Sequence, residues 1–150
     1  MPTPGNAQTG GVLDPSRDLV IKGQIVSSGP RTNAGGVGYA DGAGASVTQL
    51  TNRTTAVTIN ALCGTITTNN ASLAAEAAAS FTVTNNCVQV GDVVVIAQRS
   101  GAVGVMTDVV VIAIANGSFT LAVMNNNVAS GTAETGAIII NFAVIKGTTV

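Results

Sequence analysis

Apolar positions along this chain recur with a period of two. Thr55 to Ala61 sets Val57, Ile59 and Ala61 against Thr58 and Asn60, the alternation of a strand with one buried face. Gly64–Thr67 continues it after a break, and Phe81–Thr84 alternates again before stopping at Asn85-Asn86. Gly91-Asp92 turns the chain into Val93–Ile96, and a further strand is predicted over Val105–Ala115. Asn116-Gly117 is the strongest hairpin signal, because both residues tolerate positive φ. It leads into Phe119–Val123, which ends at Asn125-Asn126-Asn127. The last run, Ala137–Lys146 (AIIINFAVIK), is apolar on both faces, as expected of a central strand in a sandwich. An earlier strand is predicted over Leu19–Val26 (LVIKGQIV).

Other stretches break the pattern. Ala71–Ala79 (ASLAAEAAA) contains strong helix formers, but a helix that short is marginal alone, so it predicts a loop or one helical turn. Ser27–Ala34 is a turn cluster, and Gly35–Gly44 is Gly-rich with a tight-turn signal at Asp41-Gly42. Residues 1–18 carry Pro and Gly with no period, the mark of an extended arm or a disordered tail. The expectation is an all-β protein of about eight or nine strands, an antiparallel β-sandwich or jelly-roll-like fold. An N-terminal arm and first strand would occupy residues 1–34, and the sandwich body 35–150.

Composition narrows the function. Only 9% of the 150 residues are charged and the net charge is −1, against about 25% charged in an average domain. The polar surface must therefore be built from Thr, Ser, Asn and Gln. No histidine is present, which excludes Ser-His-Asp and Cys-His nucleophile systems and imidazole metal sites. Two cysteines alone cannot complete a four-ligand zinc site. The six basic residues, Arg17, Lys22, Arg31, Arg53, Arg99 and Lys146, are scattered, so no phosphate-binding footprint is formed.

The first 18 residues lack a basic and an apolar region, so they do not read as a secretory signal. The longest apolar run, Val109–Ala115, is far short of the roughly 18–20 residues of a membrane helix. A soluble protein made in a cytoplasm is expected. Cys63 and Cys87 would be reduced there, pairing only if the fold brings them close.

Candidate chemistry is sparse. Gly36-Val-Gly38-Tyr-Ala-Asp41 lacks the third glycine of a dinucleotide loop and any strand–helix–strand setting, so it reads as a flexible loop. Asp92 with Asp108, or Glu76 with Glu134, are the available carboxylate pairs. Glycosidic chemistry needs such a pair in a cleft usually lined by aromatics, and this chain has one Tyr and no Trp. Each acid falls near a predicted turn or strand end, where it is expected to be solvated. Neither an enzyme, a catalytic residue, a cofactor nor a metal is expected. The arm carries a different signal. Extended Pro/Gly-punctuated arms serve assemblies by lying across a neighbour or adding a strand to its sheet edge. Arg17, Asp18, Lys22 and Arg31 concentrate charge there. The candidate interface residues are Arg17, Asp18, Leu19, Val20, Ile21, Lys22, Arg31, Tyr39 and Arg53.

The segment Gly35–Asn70 (GGVGYADGAGASVTQLTNRTTAVTINALCGTITTNN), followed by SFTVTN, GDVVVI, GSFTLAVMN and the ending ETGAIIINFAVIKG (Glu134–Gly147), resembles small structural proteins of tailed-bacteriophage virions. Within that group it is most similar to capsid decoration, or cement, proteins. The resemblance covers roughly residues 35–147 and fits the arm less well. It implies a β-sandwich or jelly-roll homotrimer on the outside of the capsid, made in the host cytoplasm. The implied partners are the major capsid protein and other copies of itself, with no direct nucleic-acid contact and no membrane. It also implies bridging of neighbouring capsomers without catalysis. Two alternatives stay open: a phage tail-fibre, spike or receptor-binding β module, and a small carbohydrate-binding or adhesin domain.

Overall fold

The computed structural model describes residues 38–39, 42–129 and 131–148. The expected arm and the strand at Leu19–Val26 lie outside them. Eight strands follow in order: β1 (Gly44–Thr48), β2 (Val57–Thr58), β3 (Cys63–Thr67), β4 (Ala78–Thr84), β5 (Val93–Ser100), β6 (Thr107–Ala115), β7 (Ser118–Asn125) and β8 (Ile139–Ile145). No helix occurs among the described residues. The strands form two four-stranded sheets, ordered β1-β3-β8-β5 and β2-β4-β7-β6. They pack face to face, so the β-sandwich expected from the alternation is the observed architecture.

Alternation explains the core. In β4 the side chains of Ala79, Phe81 and Val83 are buried while Ser80, Thr82 and Thr84 are exposed. β8 lies between β3 and β5, the central place expected of its two-sided apolar run. Its Ile140, Phe142 and Val144 face inward, and Ile145 faces out. Phe142 meets Phe119 of β7 across the sandwich, ring centroids 5.6 Å apart and tilted by 46°, within the range favoured by aromatic pairs. Most other core residues are Val, Ile, Leu and Ala, so the phenylalanines are its largest side chains. Truncating Phe119 to Ala is expected to cost about 3–5 kcal/mol, read from the shift of a urea unfolding curve.

Two edge pairings are parallel rather than antiparallel: β1 with β3, and β2 with β4. The cause is the path of the chain. Strands β1 to β6 alternate between the sheets. Two successive crossings return the chain to the end it left, so the next strand in the same sheet runs the same way. β6 and β7 are the consecutive strands that share a sheet, joined by Asn116-Gly117 as expected. The turn differs in detail, because only Gly117 takes positive φ, at 80°. Asn116 uses its side chain instead, accepting a hydrogen bond from the Val90 N–H at 3.0 Å.

Some boundaries move. Thr55–Ala61 alternates as expected, with Val57, Ile59 and Ala61 buried. However, only Val57–Thr58 joins the ladder, because the chain is turning towards β3. The Ala-rich stretch is a loop with Glu76 at φ 61°, and its last residues already belong to β4. β6 carries a bulge between Val111 and Ala113, which leaves Ile112 exposed. Such a bulge interrupts an apolar edge that would otherwise invite pairing.

Candidate functional site

One end of the sandwich is organised around Glu134, in the loop between β7 and β8. Its side chain is fully buried, with 0% exposure, which corrects the expectation of a solvated acid. Thr107, the first residue of β6, donates its hydroxyl to Oε2 at 2.5 Å. The Val103 N–H is shared between the two oxygens at 3.0 and 3.2 Å. Gly104 N–H donates to Oε2 at 3.0 Å and Gly136 N–H to Oε1 at 2.6 Å. One carboxylate thus gathers the loop leaving β5, the start of β6 and the approach to β8. The backbone of Glu134 is tied as well, exchanging hydrogen bonds with Leu73 at 2.9 Å in both directions.

Arg53 completes the node from the opposite side. It is 3% exposed, so the side chain of this expected interface residue is committed to partners within the chain. Its Nε donates to the Ala71 carbonyl at 2.5 Å, and its terminal nitrogens reach the carbonyls of Glu134 at 3.2 Å and Gly136 at 2.9 Å and the Thr68 hydroxyl at 3.4 Å. The planar guanidinium suits this work, because its fixed fork of donors meets several acceptors at once. Gln49 extends the network, donating to the carbonyls of Arg53 and Thr55 at 3.1 and 2.7 Å.

The electrostatics of the node favour the ionised carboxylate. Burial raises the Glu134 pKa, but the bonds from Thr107, Val103, Gly104 and Gly136 outweigh it and hold the carboxyl at about 2. Burial lowers the Arg53 pKa, and the nearby Glu134 charge opposes that shift. A general acid or base works best with a pKa near the working pH and a path to substrate. Glu134 has neither, so its role is to fix three segments of backbone. Little in the sequence TAETG marks it out. The one hint is Gly136 two positions later, where a Cβ would strike the Gly101 carbonyl and press on the Glu134 carboxylate.

The other end holds a second ionic anchor. Asp92 is also buried, again unlike the expected solvated acid. It accepts from Lys146 Nζ at 2.5 Å, from Gln89 N–H at 2.8 Å and from Gly147 N–H at 3.1 Å. The Lys146 bond is the largest cause that lowers its pKa. Burial opposes it, and the two backbone donors add to the lowering. Lys146 Nζ also donates to the Cys87 carbonyl at 2.9 Å. Asn85 donates to the Ala61 carbonyl at 2.7 Å, and the backbone of Gly117 bonds to Val88 and Asn85 at 2.9 and 2.8 Å. Together these contacts lock the β4–β5 loop to the β6–β7 hairpin.

Asp108 and Glu76 are exposed, so neither expected carboxylate pair forms a shared site. Cys63 and Cys87 are free thiols. Tyr39 is half-exposed and donates its hydroxyl to the Val144 carbonyl. The expected contact residues Arg17, Asp18, Leu19, Val20, Ile21, Lys22 and Arg31 lie outside the described residues. Among the described residues no cluster of three or more His, Cys, Asp or Glu is placed to hold a metal.

Exposed apolar side chains flank the Glu134 end and one outer sheet face. The loops beside Glu134 expose Val103, Val105, Met106 and Val128, with Val105 95% exposed. On the outer face of the other sheet, Val93 of β5 pairs with Ile145 of β8, and Val95 with Ala143. Val93, Val95 and Ile145 are each about half exposed. Exposed apolar groups that cluster, rather than scatter singly, mark contact surfaces. These two patches are the features of the body that patterning alone did not reveal, because exposure is decided by loop placement and sheet order. Comparison with protein-family models, with curated proteins and with solved structures found no match.

Proposed function

We propose that the chain is a non-enzymatic structural protein of a tailed-bacteriophage virion. On this reading it decorates the outer capsid surface as a trimer and holds neighbouring capsomers together. The observation that carries the reading is the pairing of exposed apolar loop tips with a buried ionic anchor directly beneath them. The resemblance over residues 35–147 supplies the setting. Val103 and Gly104 are bonded to the Glu134 carboxylate, so the tips are presented in a preset shape. Preorganised contacts lose less ordering entropy on docking. Charge is scarce, so a surface can be covered without stranding unpaired ions. The work asked of such a protein is adhesion: several weak contacts from one trimer engage several capsomers, and linkage raises their effective concentration.

Co-sedimentation with shells stripped of decoration tests this reading. Saturable binding at a fixed ratio of chain to shell is the expected result. Shells that pellet without the chain at excess protein overturn it. Capture of the chain by host cells or glycans instead points to the receptor-binding alternative.

A further inference from the structure

We infer that Asn116 is a latent deamidation site, held unreacted by a clamp from Val88 and Val90 of the β4–β5 loop. Asn116-Gly117 is the chain's one Asn-Gly step. Asparagine is most labile before glycine, because no Cβ hinders the glycine nitrogen or restricts its backbone. In the reaction the Gly117 nitrogen attacks Cγ of Asn116. The new N–C bond closes a five-membered imide, the bond from Cγ to the side-chain nitrogen breaks, and ammonia leaves carrying the Gly117 proton. Water then opens the imide to aspartate or to isoaspartate. The second product threads an extra methylene through the backbone of a turn only two residues long.

Burial does not shield this site. Asn116 is exposed where β6 turns into β7, so water and base reach it. Hydrogen bonds hold both reacting groups instead. The Gly117 N–H donates to the Val88 carbonyl at 2.9 Å, which keeps its proton from solvent base. The Val90 N–H donates to Asn116 Oδ1 at 3.0 Å, which fixes the side-chain amide on the loop. Closing the imide removes the proton that makes the first bond and turns the amide that makes the second. The clamp is itself anchored. Val88 is 1% exposed in the core. Its N–H donates to the Asn85 carbonyl at 3.1 Å, and the Asn85 N–H donates to the Gly117 carbonyl at 2.8 Å. Gln89, between the two clamp residues, donates its N–H to the Asp92 carboxylate at 2.8 Å and accepts from the Asp92 N–H at 3.0 Å. The reaction therefore waits for the loop to open, and its rate follows the population of that open state.

The test incubates the full chain in warm, mildly alkaline buffer and follows Asn116 by peptide mass spectrometry, which reads the replacement of its side-chain NH2 by OH. The folded chain is expected to lose the amide at least about tenfold more slowly than the same chain unfolded in guanidinium, since it must first open locally. Two variants probe the clamp. Val90→Pro removes the N–H that holds Oδ1, whereas Val90→Ala keeps it. The Val90 side chain is 56% exposed, so neither change disturbs the core. The proline variant should react faster, and the alanine variant at the rate of the unaltered chain. Equal rates for folded and unfolded chains overturn the inference, as does a folded Val90→Pro that reacts no faster than Val90→Ala. Should Val90→Pro fail to fold, hydrogen exchange on the unaltered chain decides. Protected amides at Gly117 and Val90 support the clamp, and exchange at the rate of an unstructured peptide overturns it.

Discussion

Replacing Glu134 by Ala is expected to lower the unfolding free energy by about 3–5 kcal/mol, the cost of stranding buried partners of a charged group. The N–H groups of Val103, Gly104 and Gly136 and the Thr107 hydroxyl lose their acceptor together. Arg53 meanwhile remains buried beside a vanished charge. The same carboxylate sets a pH signature. Its pKa falls from an ordinary 4.5 to about 2 on folding, so the unfolded chain binds the proton more tightly. The stabilisation is therefore complete above about pH 4.5 and is lost as the pH falls towards 2. Asp92, also lowered, adds loss in the same direction. Unfolding midpoints measured from pH 6 down to pH 2 should fall steeply for the unaltered chain. Glu134→Gln should start lower and fall less. Equal slopes for the two proteins would show that Glu134 does not carry the effect.

The second large effect is expected at Gly136. A Cβ there would overlap the Gly101 carbonyl, and a Cβ at Gly101 would overlap the Ala137 carbonyl. The two backbones therefore touch where the loop leaving β5 passes the approach to β8. Gly101 also sits at φ 89°, a region that side chains other than glycine's rarely adopt. Gly136→Ala forces these segments apart and pulls the Gly136 N–H from Glu134. A loss of about 2–4 kcal/mol is expected, the upper range for single substitutions, measured by denaturant titration. Gly117→Ala is the contrast: its φ is positive, but nothing lies within 4 Å of a Cβ there. It should cost about 1 kcal/mol, the strain alone.

These positions show which parts of the molecule were legible in the sequence. The strands were, because burial of one face imposes a period of two, and β4 and β8 follow it closely. The hairpin at Asn116-Gly117 was legible because glycine there relieves a local constraint. The parallel edges were not, since β1 and β3 read alike whichever way they run, and direction is fixed only by how the chain crosses between sheets. Local sequence reports neither burial nor distant partners, so Glu134 reads as a solvated acid and Arg53 as an interface residue. Arg53 meets Gly136 across 83 positions. The exposed tip is hidden for the same reason: the apolar run reads as strand from Val105, whereas β6 begins at Thr107 and Val105 stands exposed in the loop before it.

We propose that this nearly neutral sandwich acts by adhesion to a shell. The most direct test is the rupture temperature of undecorated, DNA-filled capsids, followed by release of DNA as the chain is titrated in. A rise that levels off once every site is filled is expected, and a smaller rise with Val105→Lys. A rupture temperature unmoved by saturating chain would contradict it.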